Sequence, residues 1–401
     1  MSALTRKKVL WTAFTLALGA AVSLGLARFA YALLLPPMRS DLGWTYFVAG
    51  AMNALNALGY MAGAWMAPSW MRRWGVMRTL VGGGVVATLA LSMHGGTRSM
   101  EGLAVLRFLT GGGSAAMFVA GGVLAARLSV RPTLGVAVSP GLVLGIFYGG
   151  VGVGIVASAL TVPALPATAG LTDWQVGWLA MGALAAVATW ILGTCLGVFK
   201  EESLGVSTSH RLSVRDLASK FGFGLAAYFM FGLGYIGYMT FIVTLLREQH
   251  FSTGVISAFY TVLGVGVMAS PWLWAGWLQR HRGGQTLAFL SLLLAMATAI
   301  PVVWGEVAWA FVSGALFGAV FLSVVASTTA LVRHNLPAAQ WPVGISAFTL
   351  VFAWGQVMGP AVVGLVADGT GGLRSGLAWS AAALALGGLL ATRQKPLSPP
   401  V

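Results

Sequence analysis

The sequence predicts an all-α integral membrane protein, with twelve transmembrane helices arranged as two bundles of six. Three observations carry this. Of 401 residues, 58% are hydrophobic and only 8% are charged, whereas a soluble domain is about a quarter charged. Apolar stretches of about 20 residues, each able to cross a hydrocarbon core at 1.5 Å rise per residue, recur from end to end. The chain also aligns with itself, LGLARFAY (24–31) falling on FGLGYIGY (231–238) at an offset of 207 residues.

The spans follow in order. The first, 9–36, opens behind Arg6, Lys7 and Lys8 and closes at Pro36. Its basic start and small residues mimic a secretory signal, but the apolar run is too long and the repeat uses it as its first helix, so it is expected to stay. Span two, 46–69, follows Arg39 and Asp41 and ends short of Arg72 and Arg73. Arg98 and Glu101 part span three, 77–95, from span four, 102–126. Arg127 and Arg131 precede span five, 136–162, and Asp173 precedes span six, 174–198. The segment 200–218, KEESLGVSTSHRLSVRDLA, is the one long hydrophilic stretch and divides the chain into an N-terminal bundle, 1–199, and a C-terminal bundle, 219–401. Arg247 and Glu248 part spans seven, 219–246, and eight, 253–278; Glu306 parts nine, 285–304, from ten, 307–332; Asp368 and Arg374 part eleven, 342–367, from twelve, 373–392.

The net charge of +14 invites a nucleic-acid reading, which its distribution removes. Under twelve spans, 17 of the 23 basic residues fall on the N-terminus, every second loop and the C-terminus, while the opposite loops hold Asp41, Glu101, Asp173, Glu248, Glu306 and Asp368. This is the positive-inside asymmetry, and it puts both termini in the cytoplasm and the chain in the cytoplasmic (inner) membrane. Lipid is the partner and nucleic acid is not. Cys195 is alone, so no intrachain disulfide forms. His94, His210, His250, His281 and His334 fall in loops or at span ends without ligand-like spacing. No metal site or cofactor is expected.

The repeat continues without a gap, pairing Gly25 with Gly232, Tyr31 with Tyr238, Trp70 with Trp277, Arg73 with Arg280 and Gly111 with Gly318. The weight lies on the Trp, Arg and Tyr pairs. Glycine-rich runs such as TGGGSAA (110–116) and GIFYGGVGVG (145–154) lie inside apolar spans, where they serve helix packing rather than phosphate binding.

LAVLRFLTGGGSAA (103–116) resembles the fourth-helix motif of major facilitator transporters, GQVMGPAVVG (355–364) resembles their G-x-x-x-G-P signature, and SWMRRWGVMR (69–78) resembles their gating loop. That loop keeps Arg73, Gly75 and Arg78 as gating residues, but Arg72 stands where the family carries an acid. GLARFAYALLLPPM with GYMAGA (59–64) and FAWGQVMGPAVVGLVADGTGG (352–372) resembles, more narrowly, the YbfB/YjiJ branch. The resemblance implies the major facilitator fold, in which helices 1, 2, 4, 5, 7, 8, 10 and 11 line a central cavity.

Arg28 lies eight residues inside Pro36, about 12 Å along the helix, and Arg107 six residues inside Glu101, about 9 Å. For Arg28 a substrate contact is weighed against snorkelling; for Arg107 a structural and gating role leads. With Tyr31, Asn53, Asn56, Tyr148, Tyr235, Tyr238 and Gln356 they belong to cavity-lining helices, and these nine are the expected substrate-binding set. No Asp or Glu falls in the middle of a span, so the candidates for coupling are the border acids Asp41, Glu101 and Glu306.

Fixed cations without internal carboxylates favour an anionic ligand, since guanidinium pairs with carboxylate or phosphate. The expected function is a monomeric secondary transporter moving a small organic anion by alternating access, as an exchanger or proton symporter. The alternative is efflux of hydrophobic or aromatic compounds, for which 16 Trp, 20 Phe and 16 Met supply an adaptable lining. An enzyme is not expected, because no nucleophile and base, acid pair or ligand set converges at one depth.

Overall fold

The computed structural model describes residues 4–131, 133–134, 138–165, 170–195, 214–337 and 340–397. The polar segment 200–218 therefore lies outside the described residues up to position 213. Helix α1 covers Arg6–Leu42, passing beyond Pro36, where the sequence reading closes it. It is irregular in two places. Ala21–Phe29 is wound as a π-helix, in which the Ala30 N–H reaches back five residues to the Gly25 carbonyl at 2.9 Å. Pro36 and Pro37 lie inside its last stretch, which stops at Gly43 in the left-handed conformation, φ 65°. Each proline removes a donor, a gap that membrane helices absorb where neighbours re-satisfy the freed carbonyls.

The remaining helices are α2 (Tyr46–Trp74), α3 (Val76–His94), α4 (Met100–Ser129), α5 (Pro140–Thr161), α6 (Asp173–Cys195), α7 (Val214–Glu248), α8 (Thr253–Leu273, continued by Ala275–Arg280), α9 (Gln285–Val303), α10 (Val307–Asn335), α11 (Trp341–Ala367) and α12 (Gly372–Thr392). Among the described residues, eleven of these twelve are long and apolar enough to cross a membrane. The exception is α2, which has 29 residues but is diluted by Asn53 and Asn56. Their starts follow capping chemistry: Ser99 accepts the Gly102 N–H at 3.0 Å ahead of α4, and Ser139 with Pro140 opens α5.

The chain forms two compact units. The first comprises Met1–Gly43, Leu55–Gly205 and Ser252–Met268; the second comprises Trp44–Ala54, Val206–Phe251 and Ala269–Val401. The start of α2 thus belongs to the second unit and most of α8 to the first. Inside the first unit α1 packs on α5 and α6, and α3 on α4 and α6; inside the second, α7 packs on α11 and α12, and α9 on α10 and α12. The two sets of contacts correspond helix by helix under a shift of six, which is the repeat seen in the sequence. Its matched glycines have a matched use. A Cβ on Gly25 would sit closer than 3.0 Å to the Gly154 backbone of α5, and one on Gly232 would do the same to the Phe352 carbonyl of α11. In both units a glycine lets the first helix touch the fifth backbone to backbone.

Large apolar side chains such as Trp11, Trp65, Trp190 and Leu389 are exposed, while Arg28, Asn53, Asn56, Arg107 and Gln356 are buried. Such a surface suits hydrocarbon, and the interior is where the polar chemistry is kept.

Candidate functional site

In the first unit the site is built on the π-helix of α1. Such segments shift the register of the side chains that follow and recur at functional sites. Arg28 stands in its last turn, 3% exposed, with its guanidinium 5.5 Å from the ring centre of Tyr60 on α2. Its Nε and Nη2 have no hydrogen-bond partner among the described residues. These two N–H groups form the side-on edge of a guanidinium, the geometry that meets a carboxylate with two parallel hydrogen bonds. Next along α1, the Phe29 carbonyl accepts the hydroxyl of Tyr260 from α8 at 2.7 Å.

Arg107 on α4 is held differently. Its guanidinium lies 4.3 Å from the ring centre of Tyr31 and 5.8 Å from that of Trp178, and its Nη1 donates to the Ala27 carbonyl at 3.5 Å. Tyr31 and His94 each stack on Trp178, and the Trp178 indole N–H points to the Met38 sulfur at 3.3 Å. Asn56 donates to the Arg107 backbone carbonyl at 3.2 Å. The surroundings are aromatic rings and carbonyls drawn from α1, α3 and α6, a cage that fixes these helices around one cation. At the neighbouring helix ends Asp41 accepts from Trp174 at 2.8 Å and pairs with Arg98 at 2.7 Å.

In the second unit the expected site residues are neutral, and three hydrogen bonds hold them. Tyr235 donates to Gln356 at 2.6 Å, Tyr238 bonds Ser313 at 2.7 Å, and Asn53 donates to Thr240 at 2.7 Å. Around them Tyr228, Phe231, Tyr235, Phe321 and Phe352 form a run of stacked rings.

The expected residues therefore divide. Arg28, Tyr31, Asn56 and Arg107 lie together in the first unit; Asn53, Tyr235, Tyr238 and Gln356 lie in the second. Asn53 and Asn56, three residues apart on one helix, turn to different units. Tyr235 and Tyr238 likewise reach different helices, α11 and α10. Tyr148 is 39% exposed, against Phe147 and Phe118.

Of the gating and coupling residues, Gly75 joins α2 to α3 at φ 86°, ψ 158°, a conformation that excludes a side chain. Arg73 lies 6.0 Å from the Trp74 ring centre, and Arg72 bonds locally to Ser69 at 2.9 Å. Glu101 sits in the first turn of α4, and Glu306 precedes α10 without a side-chain bond to its first turn. Sequence reasoning missed Tyr60, Trp178 and Tyr260; aromatic residues inside apolar spans carry no mark that separates a cation's neighbour from ordinary core. No group of three or more potential metal ligands occurs among the described residues.

A family model described as "Uncharacterised MFS-type transporter YbfB" matches residues 20–392. No curated relative matches the chain in sequence. Solved structures do resemble it. The nucleoside transporter NupG superposes with a TM-score of 0.68 at 11% identity, covering 94% of this chain and 98% of its own. A bacterial homologue of the human lysosomal transporter Spinster, inward-facing and occupied, gives 0.71 at 14% identity, covering 95% and 96%. The human organic anion transporter MFSD10 gives 0.64 at 13% identity, covering 95% and 99%. At such identities the likeness is one of fold. The match over nearly the whole length goes further: this chain belongs to the major facilitator superfamily, in the family of YbfB-type transporters.

Proposed function

We propose that this transporter carries a small organic anion across the cytoplasmic membrane by alternating access, with Arg28 as the group that holds it. One observation supports this above the others: a guanidinium 3% exposed inside a membrane-spanning helix keeps its carboxylate-binding edge unpartnered among the described residues. A buried cation without a counter-charge is costly. No Asp or Glu lies in the middle of a span, and the border acid Asp41 is engaged by Arg98, so the protein's own acids do not supply one. An anionic passenger would. It would also neutralise the site when bound, so that the loaded carrier reorients and the empty one resists. Such a carrier exchanges one anion for another, or moves the anion with protons. It works as a monomer with both termini in the cytoplasm.

Arg107, enclosed by Tyr31 and Trp178, acts in this reading as a structural cation. The run of stacked rings in the second unit favours a second reading, efflux of aromatic compounds. The solved structures it resembles do not choose between the two, since one is a nucleoside transporter and another an organic anion transporter.

The test is a thermal-shift series on purified protein with carboxylates, neutral compounds and lipophilic cations, followed by counterflow of the best ligand in proteoliposomes. A ligand that binds only the folded state raises its melting temperature. Stabilisation by carboxylates, lost in Arg28→Gln, is the expected result. Stabilisation by lipophilic cations alone, unchanged in that variant, replaces this reading with the efflux one.

A further inference from the structure

Two polar groups beside Arg28 share its condition. Asn56 is 1% exposed and its Oδ1 has no hydrogen-bond partner among the described residues; Ser23 is fully buried and its Oγ has none either. Both belong to the first unit. The state of Ser23 is unusual for its helix. Thr12 and Thr15, earlier on α1, return their hydroxyls to the carbonyls four residues back, at 2.7 and 3.0 Å, the ordinary resort of a helical hydroxyl. Ser23 makes no such bond. It stands inside the π-wound stretch, five residues and so one turn of that winding before Arg28. A long side chain on a helix leans toward the preceding turn, which here is the turn of Ser23.

Asn56 reaches the same place from α2. It lies one turn before Tyr60, whose ring receives the Arg28 guanidinium at 5.5 Å, and residues four apart share a helix face. Its orientation is fixed by α4. Nδ2 donates to the Arg107 carbonyl at 3.2 Å, and an amide turned the other way would set two acceptors against each other. The amide oxygen therefore points away from that carbonyl and accepts from nothing among the described residues. Arg28 thus has two unpartnered donors, and Asn56 an unpartnered acceptor, about one helical turn apart. Complementary groups so placed would close on each other if the packing let them, since a buried donor or acceptor left unmade is costly. They do not. A pair held apart in this way describes a ligand with an acceptor for one and a donor for the other.

We infer that the passenger is a 2-hydroxycarboxylate, with its carboxylate on the Arg28 edge and its hydroxyl donating to Asn56 Oδ1. The inference rests on the anion reading above and names the class within it. The carboxylate is what the side-on edge of Arg28 pairs with. The hydroxyl is reached by elimination among donors. An ammonium would bring a third cation beside Arg28 and Arg107, where no span carries an acid at its middle; a hydroxyl supplies the proton without the charge. Its place next to the carboxylate follows from distance. A helical turn rises about 5.4 Å, and two hydrogen bonds of about 3 Å, one at each end, leave room for groups on adjoining carbons and not for a longer spacer. Ser23 Oγ, on the Arg28 side, donates to the carboxylate and so holds the charge without choosing the hydroxyl. Asn56 is then the residue that tells a hydroxy acid from its deoxy counterpart.

The test is a thermal-shift titration of purified full-length protein, read as an apparent Kd, with two matched sets of acids. One set is lactate, propionate, pyruvate and alanine; the other, aromatic, is mandelate, phenylacetate, phenylglyoxylate and phenylglycine. Each set varies only the group beside the carboxylate. In at least one set the hydroxy acid is expected to bind about tenfold tighter than the deoxy acid, which leaves Asn56 Oδ1 buried and unpaired. The oxo acid, an acceptor only, and the amino acid, a further cation, are expected to bind no better than the deoxy acid. Asn56→Leu is expected to bring the hydroxy acid down to the deoxy acid, and Ser23→Ala to weaken both alike and keep their ratio. The wild-type series decides by itself where Asn56→Leu does not fold. Equal binding of hydroxy and deoxy acids in both sets overturns this inference and leaves the anion reading standing, as does a preference that survives Asn56→Leu. Binding of no acid at all, or binding indifferent to Arg28→Gln, removes both together.

Discussion

Replacing Arg28 with methionine is expected to make the ligand-free protein more stable, an unusual outcome for a buried residue in a first transmembrane helix. The magnitude follows from what the side chain lacks. Two donors, Nε and Nη2, are buried without partners among the described residues, and each such group costs about 1–3 kcal/mol. The Tyr60 ring, 5.5 Å away, returns about 0.5–2 kcal/mol as a cation–π contact. Methionine has similar reach, is flexible enough to fill the same space, and has no N–H to leave unpaired. The net gain is about 2 kcal/mol, which raises a melting temperature by about 4–8 °C for a unit of this size. The assay is thermal unfolding of purified wild type and Arg28→Met in the same detergent, repeated with the carboxylate that stabilises the wild type most. The variant is expected to start higher and to gain nothing from the ligand. A fall of several degrees in Arg28→Met would refute the reasoning, because it would mean that the guanidinium holds the helices together as Arg107 does.

Other expectations are narrower. Arg107→Met removes the cation from between Tyr31 and Trp178 and breaks its bond to Ala27, so it should lower stability by about 3 kcal/mol, opposite in sign to the change at Arg28 and measurable in the same melts. Gly111→Ala puts a Cβ against the Asn56 carbonyl and should cost about 1–3 kcal/mol by overpacking, with reduced yield of folded protein. Gly75→Ala forces a side chain onto φ 86°; a loss of about 1–3 kcal/mol is expected in thermal melts. For Asn53 and Thr240, a double-mutant cycle to alanine should return a coupling of about 1 kcal/mol, and additive effects would show that their 2.7 Å bond contributes nothing.

The helices were legible in the sequence because hydrocarbon imposes one rule on every residue it touches, so the apolar runs and the charges that bound them mark each span. The repeat was legible where large or special residues recur, as at Gly25 and Gly232, whose shared use is a close helix contact. Interruptions of the rule were not. Pro36 reads as a stop, yet α1 continues to Leu42, and nothing in AVSLGLARF marks a π-helix, whose Gly25 lies against Gly154 of α5 and whose Phe29 carbonyl meets Tyr260 of α8. Burial of Arg28 and Arg107 could be guessed from their depth; the difference between a cation with two donors unpartnered among the described residues and a caged one could not, because it rests on Trp178 and Tyr60, which come from other helices. Asp368 shows the same limit from the other side. It reads as one of six similar acids on loops, and only the fold brings the start of α2 within 2.9 Å of it.

The repeat also sharpens the chemistry, because the same offset that pairs Tyr31 with Tyr238 pairs Arg28 with Tyr235. Both positions lie on the first helix of their half, one turn before a tyrosine and just past the glycine that brings that helix against the fifth. The frame is common and the occupants are not. In the second unit the position carries a phenol already bonded to Gln356 at 2.6 Å, and the following tyrosine is bonded to Ser313; both are neutral and satisfied. In the first unit the position carries a charge with two donors unpartnered among the described residues, while the following tyrosine is engaged by a second cation, Arg107. A pair of halves built for a neutral, symmetric passenger would have no use for this asymmetry, which in a hydrocarbon setting costs stability at Arg28 and not at Tyr235. An anionic passenger puts that cost to use, because the group that destabilises the empty carrier is the group that recognises the charge. It follows that the two halves answer to different parts of the ligand: substitutions at Arg28 should abolish the response to carboxylates as a class, whereas substitutions at Tyr235 or Phe352 should reorder the carboxylates among themselves and leave the requirement for a negative charge intact.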